Sequence, residues 1–418
     1  MKFTKLYGTG IWLAAVVASL ILASCGDDTS EPVLDLKPNP VVDPVVDPDP
    51  DPDPELDPEP ILTAETAVLV YMVADNSLGT GGYDVDDMEE MQQAVDAGVL
   101  GLDNRLLIYR NRRGTDTGNV PVIIEMKKDA LPDTLMVYPD NPSIYSTDSE
   151  RMREVLGWFN NEVAAKHRGL VLWSHATGWV QDGGARSPAR SWGNDRGIKM
   201  TMASLSQGLE GSHFDFIYFD CCHMMTVESL YEIRDKANVF AGSVTELPAP
   251  GMPYDLTLPH FFNPGGPDVI GAAKETFANY DALSGMDRTC TISVVKSSAL
   301  AELALMTARM LASGAVEGMD ISRYQQYSRS YAYKLYDLGQ WGMSLTPVDA
   351  TTQQLWSQAL DDAVIYAAAT PTVFEQIQLT YHSGLACGIP KDHAEAEQKG
   401  YTALKWWVDV ASHNNRLN

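Results

Sequence analysis

Beyond residue 62 the chain switches repeatedly between two hydrophobic periods. Five short, almost continuous apolar runs stand out: "AVLVYMVA" (67–74), "NRLLIYR" (104–110), "GLVLWS" (169–174), "FDFIYF" (214–219) and "NVFAGS" (238–243). Their length and β-rich content predict strands buried on both faces. Between them lie stretches with helical spacing. "SERMREVLGWFNNEVAAKH" (149–167) repeats Met152, Val155, Leu156, Phe159 and Val163 on one face, which predicts a single amphipathic helix over its whole length. "TVESLYEIR" carries Val227, Leu230, Tyr231 and Arg234 in the same way, and "YQQYSRSYAYKLYDL" (324–338) predicts a helix packed through its tyrosines rather than a sugar-stacking surface. Alternating strand and helix predict an α/β fold, a mostly parallel sheet with helices on both faces. Functional groups in such sheets gather at the carboxyl ends of the strands.

The first 60 residues read differently. Lys2 and Lys5 precede an uncharged apolar stretch that ends in "LASC", Leu22 to Cys25, an export signal rather than part of a fold. It is similar to the lipobox of bacterial lipoproteins, in which Cys25 becomes the lipid-bearing first residue of the mature chain; a plain secretory signal is the alternative. A lipidated cysteine holds a protein to a membrane without a spanning helix, for which the run is short. From Glu31 to Pro60 nearly every second or third residue is proline or acid, as in "DPVVDPDPDPDPELDPEP". Such a segment cannot bury a core and predicts an extended stalk. Residues 25–60 hold 12 of the 56 acids and one lysine, so 44 acids face 27 bases beyond them, a net charge of about −17. That balance disfavours nucleic acid and anionic membrane surfaces as partners. The expected organisation is a lipoprotein signal peptide over 1–25, an acidic stalk over 26–61, an α/β core over 62–300, and a helical and β extension over 301–418 packed on that core. The expected location is the bacterial cell envelope, anchored at the outer membrane, with Asp27 and Asp28 pointing towards surface exposure.

Two of the apolar runs end in reactive side chains. "GLVLWS" leads into His175, and "FDFIYF" leads through Asp220 to Cys221, Cys222 and His223. The ends of parallel neighbouring strands lie together, and a cysteine with a histidine partner is the minimum for thiolate nucleophilic catalysis. A lone histidine at a strand end is as a rule structural; the cysteine at a second strand end changes that reading. Apart from Cys25 the cysteines are Cys221, Cys222, Cys290 and Cys387, too few for a disulfide framework in a chain of this size. Adjacent cysteines also rarely bridge each other. In an extended strand Asp220 and Cys222 point one way and Cys221 the other, so Cys221 is expected to pack as a small apolar residue. The helical pattern that follows places the thiols ahead of a helix N-terminus, whose dipole, with an imidazolium nearby, is expected to lower a thiol pKa from about 8.5 towards neutrality.

In content and order these motifs resemble the clostripain-like cysteine peptidases, relatives of caspases and legumains with the caspase-haemoglobinase fold. "VLVYMVADNSL" is similar to the family's first strand and its Tyr-Met-x-x-Asp-Asn-x-Leu motif, "LVLWSHATGW" to Leu-x-Leu-Trp-Asn-His-Gly-x-Gly-Trp, and "FDCCHMMTVESLYEI" to Phe-Asp-Ala-Cys-Leu-Met-x-x-Val-Glu. "YDLGQW" (336–341) and "SGLACGIP" (383–390) resemble weaker signatures, and His175 and Cys222 are 47 residues apart, near the roughly 50 of caspases. The resemblance implies that Cys222 is the nucleophile and that His175 takes up its proton and protonates the leaving amine. Backbone N–H groups of Ala176 and Cys222 would form the oxyanion hole. It also implies cleavage after Arg or Lys, read by carboxylates of which one matches Asp220.

Several positions depart from the family pattern. Ala176 and Thr177 stand where the family has glycines, and a Cβ restricts the backbone there. In "SVTELPAPGMPY" (243–254) the family's two glutamates become Val244 and Thr245 and its aspartate becomes Pro250, leaving Glu246 as the replacement carboxylate. Fewer carboxylates weaken selection of a guanidinium. Family members are often cleaved in the loop after the histidine, and "QDGGARSPARSWGNDRG" offers Arg186, Arg190 and Arg196. Calcium accompanies some members. Here "DVDDMEE" (84–90) lacks EF-hand spacing and reads as a capped, solvated helix start, and no zinc pattern occurs, since adjacent Cys221, Cys222 and His223 do not suit one tetrahedral ion. The expectation is a lipid-anchored, extracytoplasmic cysteine endopeptidase acting on protein or peptide substrates, with no nucleic-acid partner and no cofactor beyond the calcium that the resemblance allows. The alternative is a surface lipoprotein that keeps the peptidase fold, has weakened catalysis and serves in binding.

Overall fold

The computed structural model describes residues 63–112, 120–139, 141–180, 191–313, 320–329, 334–346 and 348–413, all within one compact unit, Pro58–Asn418. The signal, Cys25 and the stalk lie outside the described residues. Nine strands build one sheet: β1 (Thr63–Val73), β2 (Asn104–Asn111), β3 (Val122–Glu125), β4 (Asp133–Val137), β5 (Ala164–Trp173), β6 (Phe214–Asp220), β7 (Ala237–Gly242), β8 (Thr291–Lys296) and β9 (Val364–Ala369). They lie in the order β9-β8-β7-β6-β5-β1-β2-β3-β4. The five central strands, β7 to β2 in that order, are the five apolar runs, and they pair in parallel. Antiparallel pairs flank them on both sides.

Buried parallel strands have no solvent face, and alternate residues serve opposite sides. Leu69, Tyr71, Leu170, Leu172, Ile217 and Phe219 share one core with α3 (Ser149–Glu162), α4 (Met202–Gly208), α5 (Val227–Glu232) and α8 (Leu300–Ser313). Val68, Val70, Val171, Phe216 and Tyr218 share the other with α2 (Tyr83–Asp96), α6 (Tyr254–Phe261) and α7 (Val269–Asp281). Burying one such apolar side chain contributes about 1.5–3 kcal/mol, and both faces of every central strand are used.

Two expectations need correction. The helix expected over 149–167 stops at Glu162, because Ala164 to His167 pair with Thr63 to Thr66 of β1; the ladder of hydrogen bonds overrides local helical spacing. The tyrosine-rich stretch is extended rather than helical where it is described. Tyr327 N–H donates to Leu335 O at 2.8 Å, and Gln326 bridges Tyr336. The buried Tyr327 hydroxyl is satisfied by Asp337 Oδ2 at 2.6 Å, a partner that a helix would not have brought to it. The chain beyond 300 joins the main core, since β9 pairs with β8 and Trp356 Nε1 donates to Thr307 Oγ1 of α8 at 2.9 Å.

Candidate active site

Strands β5 and β6 run side by side in a register that pairs Trp173 with Asp220, so both end at one level. His175 and Cys222, each two residues further on, line one pocket together with Asp220, Glu246, Leu247 and Arg329. The sequence had brought His175 and Cys222 together, and the parallel register is the reason they meet.

His175 is fixed from both sides. Its Nε2 lies 2.8 Å from Ser77 Oγ, and Ser77 opens the short helix α1 (Ser77–Gly81), whose N-cap Asn76 accepts the Leu78 N–H. Asn76 Nδ2 donates to Val73 O at 2.8 Å and Asn194 O at 2.7 Å, locking that cap to the end of β1. Behind the histidine, Gly193 N–H donates to His175 O and Thr177 N–H to Ser191 O, both at 2.9 Å. Burial, assisted by the charge of Lys199, holds the imidazole below its ordinary pKa. It is therefore neutral at pH 7 and able to accept a proton.

Cys222 Sγ accepts the Leu247 N–H at 3.4 Å, and burial pushes its thiol up to about 11. The expected lowering by a helix dipole does not occur. Helix α5 begins only at Val227, has six residues, and spends its Thr226 cap on Ser229 N–H, so desolvation wins over a short and distant dipole. Cys221 is buried in the α3-side core with Trp192, turned away from Asp220, whose partners lie on the α6 side. His223 adopts φ 60°; its N–H donates to Thr245 O and its Nδ1 meets Val244 O, each at 3.0 Å.

Asp220 is 5% exposed and forms the pocket floor. Its Oδ1 accepts Met252 N–H at 2.9 Å and its Oδ2 accepts the Tyr254 hydroxyl at 3.0 Å. Gly251 crosses directly over it with φ +71°, where a Cβ would come within 2.7 Å of Oδ1. Burial raises the Asp220 pKa. Val244 and Thr245 are buried, and Thr245 Oγ1 meets Thr291 Oγ1 at 2.9 Å, so neither reaches the pocket. Glu246 does reach it, but its Oε1 accepts Arg329 N–H at 3.2 Å and its Oε2 lies 3.6 Å from His223 Nε2.

Residues 70–405 match the sequence model of the clostripain family. The chain belongs to the clostripain family. Its structure is similar to that of an inactive zymogen C11 protease from Parabacteroides distasonis, at 28% identity and a TM-score of 0.71 over 83% of this chain and 98% of that one. A secreted C11 cysteine protease from Bacteroides thetaiotaomicron in complex with an irreversible peptide inhibitor is similar at 26% identity and a TM-score of 0.69, covering 84% of this chain and 99% of that one. The comparison with curated proteins finds no match. The protein is thus a clostripain-family cysteine peptidase on a caspase-like sheet.

Two residues of this clostripain-family site went unnoticed in the sequence. Asp87 and Glu90 of α2 lie behind Asp220: Trp173 Nε1 donates to Asp87 Oδ2 at 2.5 Å, and Tyr254 N–H donates to Glu90 Oε2 at 2.9 Å. Burial raises both carboxyls, and Asp220 adds to the effect at Asp87. The run 84–90 does open a helix, with Asp86 and Glu89 exposed, but its remaining acids turn inward. Asp84 is fully buried against Arg110 and Arg112. The signal was present, since Asp84 and Asp87 share a helical face with Met91, Ala94 and Val95, all buried. These acids do not fit calcium: Asp84 is neutralised by two arginines, Asp87 and Glu90 each hold a protein N–H, and no group of three or more His, Cys, Asp or Glu among the described residues could hold a metal. Arg186 and Arg190 lie outside the described residues. Arg196 belongs to a bonded hairpin turn, not to an open processing loop. It pairs with Asp195 at 2.9 Å, donates to Pro142 O at 3.0 Å and Ile144 O at 2.7 Å, and covers the Tyr145 ring at 4.3 Å.

Proposed function

We propose that the protein is a lipid-anchored, extracytoplasmic endopeptidase with Cys222 as nucleophile and His175 as its proton acceptor, cleaving proteins or peptides after Arg or Lys. The observation that carries this reading is the shared pocket, in which His175 and Cys222 meet above the Asp220 carboxyl. In the tautomer this role requires, Nε2–H donates to Ser77 Oγ and the bare Nδ1 of the neutral imidazole takes the thiol proton. Proton transfer accompanies attack of Sγ on the scissile carbonyl, because the thiol at about 11 carries little thiolate beforehand. The N–H groups of Thr177 and His223 are already engaged, which leaves those of Ala176 and Cys222 for the oxyanion. His175 then returns the proton to the leaving amine, and water releases the acyl group from Cys222 by the same route in reverse. A substrate cation reaching the pocket floor favours the ionised form of Asp220 and is held by it.

The anchor is assigned to Cys25 and the location to the outer membrane, with residues 26–61 as spacer, 62–300 as catalytic core and 301–418 as its extension. Labelled fatty acid incorporated by the wild type and not by Cys25→Ala tests the anchor. For the chemistry, the reduced protein is incubated with a peptide library varied before the cleaved bond. Cleavage after Arg or Lys that Cys222→Ala abolishes and Cys221→Ala preserves supports the reading. A wild type that cleaves nothing leaves the binding role, which the internal neutralisation of Glu246 favours.

A further inference from the structure

Arg329 is the one Arg or Lys among the described residues that lines the catalytic pocket. It arrives from a segment 83 residues beyond Glu246, and it is built in rather than loosely placed. Its Nε lies 3.4 Å from Glu246 Oε1, the oxygen that also accepts its backbone N–H. Its guanidinium carbon stands 4.2 Å from the centre of the Phe374 ring, a favourable seat for a cation. Phe374 is itself fixed: it adopts φ 48° and its N–H donates to Thr289 Oγ1 at 2.7 Å. The arginine side chain nevertheless remains 34% exposed, so it can move without opening the core.

The two carboxyls of the pocket are thus in different states. Asp220 is engaged by Tyr254 and Met252, whereas Glu246 is paired with a cation of the protein's own. A basic substrate side chain entering this pocket meets that resident cation. Two cations sharing one carboxylate in a partly desolvated space repel each other.

We propose that Arg329 is a specificity-determining residue: its guanidinium occupies Glu246 in the resting pocket, and an Arg or Lys side chain of the substrate gains Glu246 only by displacing it. The inference rests on the reading of this pocket as the substrate site. Arg329 consequently weakens the preference for a basic residue.

The test compares two fluorogenic peptides identical except for Arg or its neutral isostere citrulline before the cleaved bond, with wild type, Arg329→Ala, Arg329→Gln and Arg329→Lys. Arg329→Ala and Arg329→Gln are expected to raise the Arg-to-citrulline ratio of kcat/KM about tenfold, mainly through KM, as one competing charge is removed. Arg329→Lys keeps the wild-type ratio, and adding Glu246→Gln to Arg329→Ala removes the gain. A purely structural role for Arg329 would change both peptides alike, so an unchanged or lower ratio overturns the inference. Calorimetry with benzamidine on Cys222→Ala gives a second readout that needs no turnover. There Arg329→Ala tightens binding about tenfold if the inference holds, and equal affinity overturns it. Absence of hydrolysis by every variant refutes the peptidase reading instead, and the benzamidine comparison still decides on Arg329.

Discussion

Raising the pH on the resting protein tests the central electrostatic feature of the site. Burial holds the Cys222 thiol at about 11, with His175 displaced in the opposite direction and so neutral. At pH 7 a group titrating near 11 is ionised in about one molecule in ten thousand, roughly three hundredfold less than an ordinary thiol near 8.5, a difference of about 3.4 kcal/mol. Iodoacetamide reacts with the thiolate. Alkylation of Cys222, followed by mass spectrometry on the digested protein, is therefore expected to be slow at pH 7, to climb close to tenfold per pH unit up to about pH 10, and to level off only beyond about pH 11. In His175→Ala the climb persists, because a neutral imidazole does not hold a thiolate in place. A rate that levels off below pH 8, or a profile that moves towards alkaline pH when His175 is removed, would show a preformed thiolate–imidazolium pair. Either result refutes the argument that desolvation dominates here.

Two further predictions follow from neighbouring contacts. Ser77→Ala removes the hydroxyl that orients His175 Nε2; Ser77 is a positioning residue, and steady-state kinetics should show kcat falling about tenfold with KM unchanged, the equivalent of one hydrogen bond. Glu228 of α5 is fully buried, accepts Gly388 N–H at 2.7 Å and the Tyr401 hydroxyl at 3.0 Å, and is raised by burial to about 7. A carboxyl raised on folding contributes stability that is complete below its unfolded pKa near 4.5 and is lost as the pH climbs to about 7, some 3 kcal/mol in all. Urea unfolding at pH 5 and pH 8 should show that loss in the wild type and not in Glu228→Gln; an equal loss in both would assign it to other groups.

The parallel core and the meeting of His175 with Cys222 in one pocket were legible because each rests on a local signal: an apolar run of strand length, then a reactive side chain just past its end. The alternation of a strand likewise separated Cys221 from Cys222. What stayed hidden depends on distant partners. Nothing near Ala164 announces that β1 will claim it as a strand, and the acids of α2 look solvated until Trp173, Tyr254 and Arg110 are placed around them. The thiol pKa failed as an expectation for a similar reason. The helix was foreseen over 226–234, but its brevity and the closeness of the Leu247 loop were not. Arg329 could not be connected to the site at all, since 107 residues separate it from Cys222 and only the tertiary fold brings it to the pocket.

The opposite orientation of the two adjacent cysteines has a consequence for oxidative damage. Many thiol enzymes survive peroxide because a second cysteine condenses with the sulfenic acid and stops oxidation at a reversible stage. In this protein the chain neighbour of Cys222 faces the other core, and Cys221, Cys290 and Cys387 are all buried. Cys221 borders the pocket but could bridge its immediate neighbour only through strained geometry, and Cys290 and Cys387 are buried away from it, so none of these thiols is placed to resolve an oxidised Cys222. Protection comes instead from the suppressed thiolate, which makes the first oxidation slow. Once that step has occurred, recovery depends on a small external thiol entering through the substrate pocket, and an occupied pocket shields the enzyme from oxidant and rescuer alike.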